Sequence, residues 1–95
     1  MREAVRLDLN NEIFQAQWFA LEKSERIAVL QSCVKLSKLN WNELYLDRGF
    51  RWELIHSRQG RDGSKLYSIR ITQKMRAVVR RNGGFLEFLT LHADQ

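Results

Sequence analysis

The chain has 95 residues, enough for one domain with its own core and too few for two. Hydrophobic residues make up 44% and charged residues 28%, which excludes a disordered or fibrous chain, and the single cysteine, Cys33, excludes a disulfide framework or a cysteine-based zinc site. The net charge is +5; no apolar run approaches the roughly 18–20 residues of a membrane span, and Met1-Arg2-Glu3 opens no signal peptide, so a soluble, cytoplasmic domain with no membrane partner is expected.

Residues 4–9 (AVRLDL) alternate as a short strand, with Val5, Leu7 and Leu9 on one face. Asn10 or Asn11 then caps a first helix, Glu12 suits its N-terminal dipole, and Phe14, Trp18 and Leu21 form its buried stripe. Ser24 is the expected cap of a second helix, with Ile27, Leu30 and Val34 lining its core side and Val29, Cys33 and Leu36 broadening that stripe. A short break around Lys23 folds the two helices into a hairpin. Asn40-Trp41-Asn42-Glu43 has the form of a capping box opening a third helix through Leu44 to Asp47.

All five glycines lie at or after Gly49, and proline is absent; there the apolar period changes from helical to two. Phe50 to Ile55 reads as a strand, and Ser57 to Ser64 (SRQGRDGS) as a polar loop. Lys65 to Ile71 is a strand with Tyr67, Ile69 and Ile71 on one face. Thr72-Gln73-Lys74 turns the chain into Met75 to Arg81, with Met75, Ala77 and Val79 towards the core. Asn82-Gly83 is a strong hairpin signal leading to the last strand, Phe85 to Leu91. The expected fold is α+β, a short N-terminal strand and a helical hairpin packed on one face of an antiparallel sheet, as a single domain over residues 1–95.

The positive charge is concentrated. Residues 48–81 hold ten Lys/Arg, eight of them arginine, against Glu53 and Asp62, a balance of +8. Arginine's planar fork suits phosphate, so a polyanion partner is indicated. With the shortest turn between the strands at 65–71 and 75–81, Arg70 faces Arg76 and Ser68 faces Val78. Like charges directly opposite cost about 0.2–1 kcal/mol, a cost offset where an anion fills the gap. Arg70, Arg76 and Arg80, with Lys74 at the rim, thus share the face away from the helices, along with Val78, Phe85 and Leu89 by parity. Those arginines could simply keep an open face soluble; their mixture with apolar and aromatic groups suits bases and phosphates.

Cys33 falls in a buried stripe and reads as packing, as do Trp18, Trp41 and Trp52. His56 starts the polar loop without a nameable partner. No metal-binding spacing, nucleotide-binding glycine loop or serine nucleophile elbow is present, so any cleavage chemistry expected here is metal-free and needs no cofactor.

Four tracts, Trp41 to Tyr45 (WNELY), Gly49 to Ile55 (GFRWELI), Leu66 to Val78 (LYSIRITQKMRAV) and Phe88 to His92 (FLTLH), together resemble the RelE/ParE superfamily of bacterial type II toxins. The likeness covers nearly the whole chain and implies this order of elements. Members of the RelE type enter the ribosomal A site and cut mRNA. By that resemblance Arg76 matches the phosphate-stabilising arginine, Arg70 one of two basic positions on the preceding strand, and His92 the place where some members carry an acid/base histidine. Lys74, Arg80, Lys65 and Arg51 are the expected RNA-binding residues.

Ser68 stands where the family's second basic residue, a lysine, is expected. Strict alternation from the Asn82-Gly83 turn would also put His92 on the helix side unless a bulge precedes it. The chain stops at Gln95, where many relatives continue with further site residues. The reading is a ribosome-dependent mRNA endoribonuclease that blocks translation, with an antitoxin protein, the ribosome and mRNA as partners. The alternatives are a ParE-like inhibitor of DNA gyrase that catalyses nothing itself, and a degenerate member that only binds its antitoxin. In the enzymatic reading, Arg76 and Arg70 stabilise charge on the attacked phosphorus and His92 supplies acid/base chemistry. Glu53 and Glu87 are disfavoured there by repulsion from RNA.

Overall fold

The computed structural model describes residues 3–93; Met1-Arg2 of the opening tripeptide and Asp94-Gln95 at the other end lie outside them. Strand β1 (Arg6–Asp8) leads to helices α1 (Glu12–Phe19), α2 (Lys23–Ser37) and α3 (Trp41–Leu46), then strands β2 (Glu53–Gln59), β3 (Lys65–Thr72), β4 (Met75–Asn82) and β5 (Phe85–Ala93). The sheet order is β1-β5-β4-β3-β2. Only β1, beside β5, runs parallel to its neighbour. Helix α1 packs on β5 and α2 on β3 and β1. Phe14, Val29, Cys33 and Leu36 from the helices meet Ile69, Ile71, Ala77, Val79, Leu86, Phe88 and Leu91 from the sheet. The fold is α+β, as the sequence leads one to expect, and no helix among the described residues is long and apolar enough to cross a membrane.

Local chemistry sets the helix starts. Asn11 caps α1 through its side chain, which accepts from the Ile13 and Phe14 backbone N–H groups at 2.9 and 3.0 Å. Asn40 and Glu43 form the expected reciprocal capping box of α3, at 2.8 and 2.9 Å. The expectation of Ser24 as the α2 cap fails: the helix begins earlier, with Glu22 as a cap that makes no side-chain bond. Instead the corner is held by the Trp18 indole N–H donating to Arg26 O at 3.1 Å and by the Arg26 guanidinium donating to Leu21 O.

The face of α2 also needs correction. Ile27, Leu30 and Val34 are 44–50% exposed, whereas Val29, Ser32, Cys33 and Leu36 are buried. The core stripe contains a serine, whose hydroxyl donates to Ile71 O; that bond satisfies a polar group inside the core and fixes the helix phase. Two boundaries move as well. Strand β2 starts at Glu53, because Asp47 Oδ1 accepts from the Gly49 and Phe50 N–H groups and Arg51 takes a left-handed φ of 52°, turning the chain first. It then runs through His56, Ser57, Arg58 and Gln59, so the loop shrinks to residues 60–64. An edge strand exposed to water carries little apolar alternation to mark it.

The β3–β4 register is the expected one, with Arg70 opposite Arg76 and Ser68 opposite Val78. The β4–β5 turn is centred one residue later than expected: Asn82 pairs with Phe85, and Gly83 and Gly84 make the turn. Gly83 alone takes a positive φ there, 59°, the pattern of a type II′ hairpin turn.

Candidate nucleic-acid interface

Three adjacent strands build the candidate site. Arg70 on β3 lies opposite Arg76 on β4, and Arg76 lies opposite His92 on β5. Directly opposed residues share a face, with Cβ atoms about 4.5–5.5 Å apart. Their neighbours along the strands, Ile69, Ile71, Ala77 and Leu91, are buried in the core, so the row of two guanidinium groups and one imidazole faces away from the helices. A bulge places His92 there. Val79 pairs with Phe88 but Val78 with Thr90, which leaves Leu89 as the extra residue and reverses the alternation after it.

The next row across the same face is Glu53, Ser68, Val78 and Thr90. Arg76 Nε donates to Ser68 Oγ at 2.8 Å, and Arg76 Nη2 lies 3.6 Å from Glu53 Oε2, with the arginine side chain 14% exposed and the glutamate 56%. Ser68, at the position where a lysine is expected, thus orients Arg76. Glu53 brings a carboxylate into the site that the sequence reading disfavoured. Its place depends on the irregular β2–β3 pairing, which shifts register between Leu54 and Gln59; no residue type marks that shift.

The remaining expected cations are dispersed. Arg80 Nε donates to Glu87 at 2.7 Å, its Nη1 lies 3.6 Å from Asp62, and the same Nη1 donates to Ser64 Oγ at 3.3 Å. The hydrogen bond to Glu87 is the main reason that the Arg80 pKa is raised. Hydrogen bonds from Ser64, and then the Arg80 charge, hold the Asp62 carboxyl below its ordinary range. Arg80 is therefore engaged by acids of its own chain. Arg51 lies 3.9 Å from Glu53 in the turn before β2, and Lys74 is exposed in the β3–β4 turn beside the row. Lys65 is separated from it: alternation along β3 puts it with Tyr67 on the other face, beside Arg81 and Gly83.

Of the apolar residues expected to share the arginines' face, Val78 does so and Leu89 does not. Val78 and Leu66 are buried on the open face, and Leu89 sits in the bulge. Phe85 pairs with Asn82 at the far end of β5, where Arg6 lies 4.6 Å above its ring. Phe85 does not flank the arginine row. His56 lies exposed within β2 rather than in a loop. Cys33 is buried, and burial pushes its thiol up to about 11.

No protein-family model matches the chain, and no curated protein matches its sequence. Among the described residues, no three His, Cys, Asp or Glu side chains are placed to hold a metal ion together. Chemically, the Arg70–Arg76–His92 row offers two phosphate-binding forks, an imidazole and a neighbouring carboxylate.

Proposed function

We propose that this chain is a RelE-type toxin of a type II toxin–antitoxin system, an endoribonuclease that cuts mRNA on the ribosome. The observation that carries the reading is the single row of Arg70, Arg76 and His92 on three adjacent strands. In this reading the ribose 2′-oxygen attacks the adjacent phosphorus and loses its proton, and the 5′-oxygen leaves with a proton, giving a 2′,3′-cyclic phosphate and a 5′-hydroxyl end. Arg76, oriented by Ser68, and Arg70 stabilise the charge that builds on the five-coordinate phosphorus. His92 gives the proton to the leaving oxygen. Glu53, beside Arg76, takes the proton of the 2′-hydroxyl. A cytoplasmic antitoxin would silence the protein by covering the basic face or the helical hairpin.

Primer extension on cellular mRNA after induced production tests this. New 5′ ends in phase with codons are expected, and they should vanish with Arg76→Ala. Growth arrest with DNA damage and no new mRNA ends would favour the gyrase reading instead. That second reading draws support from Ser68 at the expected lysine position and from the engagement of Arg76 by Glu53.

A further inference from the structure

Past Glu87, strand β5 loses its outer neighbour. Strand β1 pairs with it only from Phe85 to Glu87, and among the described residues no other strand lies on that side. The limb from Thr90 to Ala93 is therefore held in the ladder by β4 alone. It also follows the Leu89 bulge, which interrupts that ladder where the limb begins. An edge limb of this kind is among the first parts of a sheet to open, yet it carries the imidazole of the Arg70–Arg76–His92 row.

Helix α1 takes the place of the absent neighbour. Phe14 packs on Phe88 with ring centroids 5.2 Å apart. Gln17, three residues on, shares that side of the helix and so reaches the next stretch of β5. Its Oε1 accepts from the Leu91 N–H at 2.7 Å. Leu91 is buried, and an outward N–H left without this acceptor would be costly. The helix itself is well anchored: Asn11 caps its first turn, and the Gln15 amide donates to Leu9 O at 3.0 Å.

We infer that Gln17 is a positioning residue for His92: it clamps the backbone one residue before the imidazole and so keeps that side chain in line with Arg76 where β1 no longer supports the strand. The inference rests on the endoribonuclease reading for its catalytic consequence and adds a residue to it. Gln17 holds the Leu91 N–H, and the core holds the Leu91 side chain. Both sides of that Cα are thus fixed, and the direction of the next side chain follows from it. A proton donor displaced by about 1 Å costs up to about 10²-fold in rate.

Gln17→Leu removes the acceptor and keeps a good helix former in place, whereas Gln17→Glu keeps an acceptor at the same reach. Thermal melts establish which variants are folded; should Gln17→Leu unfold, Gln17→Asn, one methylene too short, takes its place. Two readouts test the inference. One is amide hydrogen exchange at Leu91. The other is single-turnover cutting of ribosome-bound mRNA, set beside binding of the same mRNA blocked by a 2′-O-methyl group at the cut. Gln17→Leu should speed Leu91 exchange and lower the cutting rate about 10–100-fold with binding unchanged, and Gln17→Glu should restore both. In a His92→Ala background the same substitution should cost nothing further, since no imidazole is left to position. A loss that simply adds to that of His92→Ala overturns the inference, as does unaltered Leu91 exchange in Gln17→Leu or a loss of binding equal to the loss of cutting. If the wild-type protein cuts nothing, the endoribonuclease reading fails and the catalytic role of Gln17 falls with it, while Leu91 exchange still decides the clamp by itself.

Discussion

In the endoribonuclease reading proposed above, Arg76 must hold a fixed geometry and still meet a phosphate. Ser68 fixes its Nε at 2.8 Å while Glu53 stands 3.6 Å from Nη2, so the site at rest is partly neutralised by its own carboxylate. Replacing Arg76 with alanine removes the main preorganised donor, and cutting should fall about 10²–10³-fold. Glu53→Gln separates two roles: loss of the competing charge should tighten binding of uncuttable RNA, while loss of the proton acceptor slows cleavage. A variant that binds more tightly and cuts faster would show that Glu53 only competes. Cys33 allows a pH test. Its thiol rises from an ordinary value near 9.0 to about 11 because burial disfavours the thiolate. The folded state holds the proton more tightly, so the contribution is complete below pH 9 and is lost as pH rises through 11. It amounts to on the order of 2–3 kcal/mol. Thermal melts of wild type and Cys33→Ala across that window should converge at the alkaline end.

At the scale of elements, α2 decides between two phases of one apolar pattern. Leu36 is fully buried and Leu30 is half exposed. Leu36→Ala should therefore cost about 2–5 kcal/mol, whereas Leu30→Gln should stay within about 0.5 kcal/mol, as read by chemical denaturation. The sequence contains both stripes, each with three apolar residues, and an apolar count cannot separate them, because the true stripe differs by including a polar residue, Ser32. The hydroxyl's acceptor, Ile71 O, is 39 residues away in sequence and cannot be anticipated locally. Sequence reading works where one residue type answers one backbone need: Asn40 and Glu43 cap α3, and Asn40→Ala should cost about 1 kcal/mol. The β3–β4 register was legible for the same reason, since a short turn between well-marked strands leaves one pairing, and with it Arg70 opposite Arg76. The Leu89 bulge was not legible. An apolar residue among apolar residues carries no mark of being the extra one, yet it decides the face on which His92 sits.

For the whole molecule, the concentration of ten cations in residues 48–81 overstates the free positive surface. Folding divides the open face into two halves. At one end Arg80 is surrounded by Glu87 and Asp62 at 2.7 and 3.6 Å, and Asp8 pairs beside Glu87 on the neighbouring strand. At the other end Arg70, Arg76 and His92 stand with Lys74, and Glu53 lies 3.6 Å from Arg76. A polyanion should therefore bind one end of the sheet rather than its whole surface. An arginine that must first release its own carboxylates contributes little to the net affinity. If the chain binds RNA as proposed, the salt dependence of that binding reads this division directly. Arg70→Ala should lower the slope of log K against log salt by about 0.7, while Arg80→Ala should leave it nearly unchanged. Equal losses would mean that the ion pairs around Arg80 open on binding and that the entire face is in contact. A larger loss for Arg80 would move the interface to the β1–β5 end and take the phosphate away from His92.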